Sequence, residues 1–422
     1  MQLFGLADCN NFFCSCERVF HPELRNVPVV VLSNNDGCVI ARSEESKRLG
    51  LKMGVPLYQV RDLIEANQVA VFSSNYTLYG SLSNRVMSLL AQYTPHLTQY
   101  SIDEAFLDLS GLGDSLYLKA YGERIAAYVR KATGIPISLG IAETKTLAKV
   151  ASKYAKKYPG YKGCCMIDTA VKALADFDIK DVWGIGRHLY KTLNYYGINT
   201  AAEFVNKSES WIRGKFNVVV LQTWKELNGI SCIDVEELPE KKSICTSRSF
   251  ADQGVTDHSV LEEAVANFAA SCSDKLRRQK SCCRGITVFA YTSRFRTDVP
   301  PHVIHQSVTF STPTQSSAEI IGAALHLLRT NMRKETYAYK KAGVILWDIS
   351  SCLQIQQDLF DPIDREKQAA LMKAIDAINK KNGRDKIRVA VQGTDFRFGL
   401  KREFLSKQYT TNIKDIIVAK AE

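Results

Sequence analysis

Ser101-Ile102-Asp103-Glu104-Ala105-Phe106 sets two adjacent carboxylates between apolar residues that read as strand. Residues 97–101 and 105–109 form two strands in this reading, so both acids sit at a hairpin tip. Burying such a pair is costly unless a cation neutralises it. A third carboxylate, Asp8, ends the apolar run Leu3-Phe4-Gly5-Leu6-Ala7. Three carboxylates at strand ends can build an oxygen-rich cage for Mg²⁺. Two Mg²⁺ ions in one cage can run phosphoryl transfer by the two-metal route.

Around this core the chain alternates strand and helix. Residues 1–12 read as a strand ending at Asp8, and 28–32 as a second strand (Val29, Val30, Val31). Asn34-Asn35-Asp36-Gly37 is a turn signal. Residues 43–49 look helical, with Ser43 as N-cap and Gly50 at the end. Helices follow at 82–91 and 121–131, a strand at 135–141 and a helix at 145–157. Strands interleaved with helices predict an α+β or α/β layer. Residues 168–228 are mostly helical, and Glu236 to Lys242 is a polar, proline-containing linker. Residues 243–350 alternate β segments with helices such as 260–278. A Gln-rich stretch, a helix at 365–380 and a basic terminus close the chain.

At 422 residues two to four domains are expected. No run approaches ~20 apolar residues, so no membrane span is expected. The N-terminus lacks a basic stretch and meets an acid at once, unlike a signal peptide. Twelve cysteines without a C-x-x-C pair argue against zinc and against a disulfide framework. Reduced thiols in a cytoplasmic protein are the simplest reading. The net charge of +11 suggests a polyanionic partner, although a merely basic protein has the same charge. Between 144 and 162 lie Lys145, Lys149, Lys153, Lys156, Lys157 and Lys162 and no acid. Lys145, Lys149 and Lys153 share one helix face, where like charges repel. Phosphates are the obvious counter-charge; a solvated lysine face is the other reading.

Two further motifs carry chemistry. Asp181-Val182-Trp183-Gly184-Ile185-Gly186-Arg187, followed by Leu189, Leu193 and Tyr196-Gly197-Ile198, reads as a helix-hairpin-helix. Gly184 and Gly186 let the backbone approach a phosphate, and the helix near Arg187 adds its positive end. Such contacts hold DNA without reading its sequence; a plain αα-hairpin is the bland alternative. Gln356-Gln357-Asp358-Leu359-Phe360 offers two apolar anchors in a polar stretch. That suits docking of an extended peptide into a partner's pocket, or else local packing.

These residues together resemble the Y-family translesion DNA polymerases of the UmuC type, over nearly the whole chain. The likeness rests on D-C-N-N-F-F at 8–13, V-V-L-S-N-N-D-G-C-V-I-A-R at 30–42, F-S-S-N-Y at 72–76 and Y-S-I-D-E-A-F at 100–106. It continues through G-I-A-E-T-K-T-L-A-K at 140–149, D-V-W-G-I-G-R at 181–187 and L-S-K-Q-Y-T-T at 405–411. The resemblance implies that Asp8, Asp103, Glu104 and the Cys9 carbonyl hold two Mg²⁺. One ion would activate the primer 3′-hydroxyl, the other grip the incoming triphosphate. Phe13 falls at the steric gate that excludes a ribose 2′-hydroxyl. Lys47 and Lys156 align with triphosphate-binding positions. Glu44 stands where a triphosphate-touching Tyr is usual, so that role is not carried over. The pentapeptide with Gln356, Leu359 and Phe360 resembles a sliding-clamp-binding motif. Residues near 361–422 resemble the region that binds the processed UmuD dimer.

The expected architecture is a right-hand polymerase. Its ferredoxin-like palm is 1–12 plus 79–165, its small fingers 13–78 and its helix-hairpin-helix thumb 166–238. An α/β little finger spans 243–350, and a C-terminal tail spans 351–422. The expected activity is error-prone, template-directed synthesis past lesions in the SOS response, without proofreading. Expected partners are primer-template DNA including damaged DNA, dNTP, the clamp, the UmuD-type dimer and a RecA filament. The setting would be bacterial cytoplasm, at the nucleoid when active. The rivals are a catalytically weak DNA-binding scaffold that recruits the clamp, and a related palm enzyme such as a nucleotide cyclase.

Overall fold

A computed structural model describes residues 2–234, 241–251, 254–296, 298, 300–333, 337–353, 355–356, 358, 360–383, 385–395 and 397–418. The chain divides into two compact units: Met1–Leu238 with Arg402–Glu422, and Pro239–Lys401.

The first unit runs β1 (Phe4–Cys9), α1 (Phe12–Phe20), β2 (Val29–Leu32), β3 (Val39–Arg42), α2 (Glu44–Arg48), α3 (Arg61–Ala66), β4 (Ala70–Ser73) and α4 (Tyr76–Leu90). It continues with β5 (Leu97–Gln99), β6 (Glu104–Asp108), α5 (Ser115–Thr133), β7 (Ile137–Ala142), α6 (Lys145–Lys157) and β8 (Cys164–Met166). Five strands form one sheet, in the order β5-β6-β1-β7-β8. β1 is central and antiparallel to both neighbours.

Alternate residues of a strand face opposite sides, and here each side has its own core. Phe4, Leu6 and Phe106 pack with Leu147, Ala148, Val150 and Ala151 of α6. Ala7, Cys9, Ala105 and Leu107 pack instead with Leu82 and Val86 of α4 and Ile125 and Val129 of α5. Asp8 and Glu104 therefore share the α6 side. The seat of α6 is set by Gly140, where a Cβ would lie 2.0 Å from the Ser152 nitrogen. Only a glycine lets the helix backbone lie this close to β7.

A three-stranded sheet, β3-β2-β4, has its own small core of Val30, Leu32, Val39, Leu51, Ile64 and Val69. After β8 come α7 (Ala170–Leu174), α8 (Arg187–Tyr195), α9 (Ala201–Val205), α10 (Glu209–Lys215) and α11 (Val218–Leu227). Their buried Leu193, Phe204, Ile212 and Leu221 extend the core on the α6 side.

The second unit comprises β9 (Ser243–Ser249), α12 (His258–Arg278), β10 (Ser281–Thr292), β11 (Val303–Thr314), α13 (Ser317–Asn331), β12 (Tyr339–Ser351) and α14 (Arg365–Asn382). Its sheet order is β11-β10-β12-β9. α12 and α13 bury Leu261, Val265, Phe268, Ile320 and Leu328 with Ile286, Val288 and Val344 of the sheet. α14 is tied down by a two-point pair, Arg277 Nε to Asp376 Oδ2 at 2.7 Å and Nη2 to Oδ1 at 2.8 Å.

Some expected boundaries move for local reasons. α4 begins at Tyr76 rather than 82, because Asn75 caps it by accepting the Leu78 N–H at 3.3 Å. α5 begins at Ser115, where Asp114 caps by accepting the Tyr117 N–H at 2.8 Å. Residues 351–422 do not behave as a single tail. Ser351 ends β12, α14 belongs to the second unit, and 402–418 pack on the first. Residues 236–240 of the expected linker lie outside the described residues. Among the described residues no helix is long and apolar enough to cross a membrane. All twelve cysteines are free thiols.

Candidate active site

The β1–β6 ladder sets Asp8 opposite Glu104, and the Cys9 N–H donates to the Asp103 carbonyl at 2.9 Å. Ser101 locks the hairpin tip. Its hydroxyl donates to Asp103 Oδ1 at 2.7 Å and accepts the N–H groups of Asp103 at 3.2 Å and Glu104 at 3.0 Å. The three acids that were singled out in the sequence thus occupy neighbouring ends of two paired strands.

The lysine helix lies over them. Lys149 Nζ donates to Glu104 Oε1 at 2.9 Å, and Lys156 Nζ to Asp8 Oδ1 at 2.9 Å. Lys149 also stands over the rings of Tyr100, at 4.6 Å, and Trp183, at 5.1 Å. Lys153 pairs with Asp181 Oδ1 at 2.6 Å, and Lys145 donates to the Ile233 carbonyl at 2.7 Å. Carboxylates of the same chain thus meet three lysines of this face, distant in sequence and brought in by the sheet and by the turn before α8.

The donor set suits a hard divalent cation: carboxylate oxygens and main-chain carbonyls. Burial, then the carboxylates of Asp103 and Asp8, push the Cys9 thiol well above its usual range. Cys9 therefore offers a carbonyl rather than a thiolate. Among the described residues no three His, Cys, Asp or Glu side chains stand gathered as a finished metal site. Instead the two ammoniums hold the acids that a metal would take.

Phe13, the second residue of α1, lies flat on Tyr79, with ring centroids 4.6 Å apart and planes at 17°. Tyr76 meets it edge-on at 5.9 Å. Before it, Asn11 takes a left-handed conformation, φ 48°. Lys47 Nζ donates to Asn11 Oδ1 at 2.7 Å and to Glu44 Oε1 at 2.6 Å. Glu44 Oε1 accepts from Asn11 Nδ2 as well, at 3.1 Å. Partial burial works against the ionised Glu44, but hydrogen bonds from Lys47 and Asn11 and the charge of Lys156 hold its carboxyl below the usual range. Glu44 thus occupies Lys47, the cation expected to meet a triphosphate.

In the helical region Gly184 has φ +91°, and a Cβ there would come within 2.8 Å of Thr223 Oγ1. Gly186 caps α8 with open space around it, and both glycines and Arg187 are exposed. The turn is anchored by Trp183, whose Nε1 donates to the Tyr100 hydroxyl at 3.3 Å. Of the pentapeptide, Phe360 is 86% exposed and its N–H donates to Asp358 Oδ1. Leu359 and Gln357 lie outside the described residues; Gln356 is exposed.

Sequence reading overlooked Glu17 and Tyr79. Both are fully buried behind Phe13, with the Tyr79 hydroxyl donating to Glu17 Oε1 at 2.6 Å. A carboxylate inside the apolar run of α1 was the one available signal.

A family model described as the impB/mucB/samB family matches residues 7–153, and its C-terminal-domain counterpart matches 241–359. A domain of unknown function (DUF4113) matches 369–419. The chain is 42% identical over 425 residues to Protein ImpB of Salmonella typhimurium, spanning 99% of this chain and 100% of that one. It is 42% identical over 424 residues to Protein UmuC of Salmonella typhimurium strain LT2, again across 99% and 100%. DNA polymerase IV 1 of Halalkalibacterium halodurans is 26% identical over 386 residues, 90% of each chain. A solved Y-family DNA polymerase chimera of Dbh and Dpo4 superposes with a TM-score of 0.65 at 22% identity, covering 83% of this chain and 99% of that one. With near-complete alignment to relatives at this identity, and a fold that agrees, the chain belongs to the impB/mucB/samB family, of the UmuC type, and has the fold of a Y-family DNA polymerase.

Proposed function

We propose that this chain is a template-directed DNA polymerase that copies damaged DNA with low fidelity. The observation that carries the reading is the pairing of Asp8 with Glu104 at the sheet end, beside Asp103 and under Lys149 and Lys156. In the reaction the primer 3′-oxygen attacks the α-phosphorus of a dNTP, the bond to the β-phosphate oxygen breaks, and pyrophosphate leaves with that electron pair. Asp8, Asp103, Glu104 and the Cys9 carbonyl would hold two Mg²⁺. When bound, these ions lower the pKa of the 3′-hydroxyl and neutralise the triphosphate.

The protein's own residues supply position and charge. Lys156, 31% exposed in its side chain, can leave Asp8 for a phosphate oxygen. Lys47 can do the same from Glu44. Phe13, stacked on Tyr79, stands as the wall against a 2′-hydroxyl. Gly184, Gly186 and Arg187 are placed to grip a DNA backbone. The palm, fingers, thumb and little-finger assignments belong to this reading. So do the SOS setting, a cytoplasmic location, clamp docking through Gln356, Leu359 and Phe360, and partnership with a processed UmuD-type dimer and a RecA filament.

Primer extension with Mg²⁺, on plain and lesion-bearing templates and with the accessory proteins supplied, tests the reading. Incorporation that disappears in Asp103→Ala and Glu104→Ala is expected. No incorporation by the parent chain would favour the scaffold reading, and incorporation that survives both substitutions would move the site elsewhere.

A further inference from the structure

We propose that residues 402–409 form a latch that positions the ring of Phe13 through Glu17 and Tyr79, making Ser406 a positioning residue for sugar selection. The inference rests on the gate role proposed above for Phe13.

The geometry is a relay of three contacts. Ser406 Oγ donates to Glu17 Oε1 at 3.0 Å, and the Tyr79 hydroxyl donates to the same oxygen at 2.6 Å. The Tyr79 ring then lies against Phe13 at 4.6 Å. Glu17 and Tyr79 are both fully buried, and Glu17 Oε2 has no hydrogen-bond partner among the described residues. The orientation of this carboxylate is therefore fixed by two donors on one oxygen, one of them from the latch. Without the Ser406 donor the carboxylate and the phenol it holds gain freedom to turn, and the face that supports Phe13 moves with them.

The latch is delivered by a dense set of bonds to the surrounding loops. The Glu403 N–H donates to Asp36 Oδ2 at 2.7 Å. The Phe404 N–H donates to Ser73 Oγ at 3.0 Å, and the Ser73 N–H to the Phe404 carbonyl at 2.9 Å. Tyr409 stacks on Phe20 at 4.6 Å. Asn75 makes a second route to the gate. Its Nδ2 donates to the Ser406 carbonyl at 3.1 Å, to Ser406 Oγ at 3.0 Å and to the Lys407 carbonyl at 3.3 Å, while its Oδ1 caps α4, the helix that carries Tyr76 and Tyr79. The latch also braces a tense loop. Asn35 and Asp36 are consecutive left-handed residues, at φ 59° and 49°, and Asp36 is the one bonded to Glu403.

The test compares Ser406→Ala, Ser406→Thr and Phe13→Ala in the full chain with its accessory proteins. The readout is the ratio of kcat/KM for a dNTP over the matching ribonucleotide, with dNTP kcat measured alongside. Ser406→Ala should lower the ratio by about 3- to 10-fold, the factor that one buried hydrogen bond carries. Its dNTP kcat should stay within about twofold, and Ser406→Thr, which keeps the hydroxyl, should hold the parent ratio. A ratio unchanged in Ser406→Ala but lost in Phe13→Ala overturns the latch and leaves the gate standing. An unchanged ratio in Phe13→Ala removes the gate itself. A fall in dNTP kcat with no change in ratio marks Ser406 as merely structural and also overturns the proposal.

Discussion

Replacing Lys149 with Met keeps the length and apolar stem of the side chain and removes its charge. In the parent chain the ammonium sits 2.9 Å from Glu104 Oε1, with only 15% and 21% of the two side chains exposed. At an effective dielectric of about 20 the direct attraction is about 332/(20 × 2.9), or about 6 kcal/mol. Desolvation of both partners cancels most of this, leaving about 1–2 kcal/mol net. An incoming Mg²⁺ meets that cation whether Lys149 leaves Oε1 or stays beside the ion. Lys149→Met should therefore lower the Mg²⁺ concentration for half-maximal activity by about 5- to 30-fold. Single-nucleotide incorporation titrated with Mg²⁺ measures this, and calorimetric Mg²⁺ titration of the DNA-free protein measures it without catalysis. The variant should also melt at lower temperature without metal, having left Glu104 half-buried and unpaired and lost the contacts to Tyr100 and Trp183. Added Mg²⁺ should narrow that gap. A variant that needs as much Mg²⁺ as the parent, or more, refutes the idea that the lysine and the metal compete for one carboxylate.

Three other outcomes follow from the same geometry. Glu44→Gln should release Lys47 and lower the dNTP KM by about 1.5- to 5-fold at constant kcat, the range of a solvent-exposed ion pair; steady-state kinetics that show an unchanged or higher KM would count against a held Lys47. Gly184→Ala puts a side chain at φ +91° and should cost about 1–2 kcal/mol in the hairpin. Fluorescence anisotropy with primer-template should show weaker binding, while Mg²⁺ half-saturation stays put. Burial raises the Glu17 carboxyl above its ordinary value of 4.5, against the opposing bonds from Tyr79 and Ser406. A carboxyl raised in the folded state stabilises the fold below its unfolded pKa and loses that contribution as pH climbs through the raised value. Glu17→Gln should therefore melt higher than the parent at pH 8, with the difference shrinking toward pH 5; a constant difference across that range would show that Glu17 does not titrate there.

The chemistry-bearing hairpin and α6 were legible because their signals are local. Period-two and period-3.6 patterns with turn residues gave strands flanking Asp103-Glu104 and placed α6 at 145–157, where it lies. The partners of its lysines were not legible. Lys149 and Glu104 are 45 positions apart, and Lys156 and Asp8 are 148 apart. Their meeting depends on the order of strands in the sheet, which periodicity does not specify. The docking of 402–409 was hidden for another reason. Main-chain bonds and single side-chain contacts hold it, so it has no apolar period to read. Glu17 was obscured because its one sequence signal, the apolar run around it, does not reveal its partners, the distant Tyr79 and Ser406 hydroxyls.

The two-sided packing of β1 bears on how such a chain can change over generations. Because even-numbered residues face α6 and odd-numbered ones face α4 and α5, a one-residue deletion between Leu3 and Ala7 would reverse the parity of everything upstream or downstream of it. If the ladder re-paired by one step, Asp8 would point into a core of leucines and valines with no lysine to meet it. Point substitutions along β1 alter packing in small steps, whereas length changes there move a carboxylate through the sheet in a single event. Insertions and deletions should therefore accumulate in the outlying loops of this lineage and be absent from the six residues Phe4–Cys9.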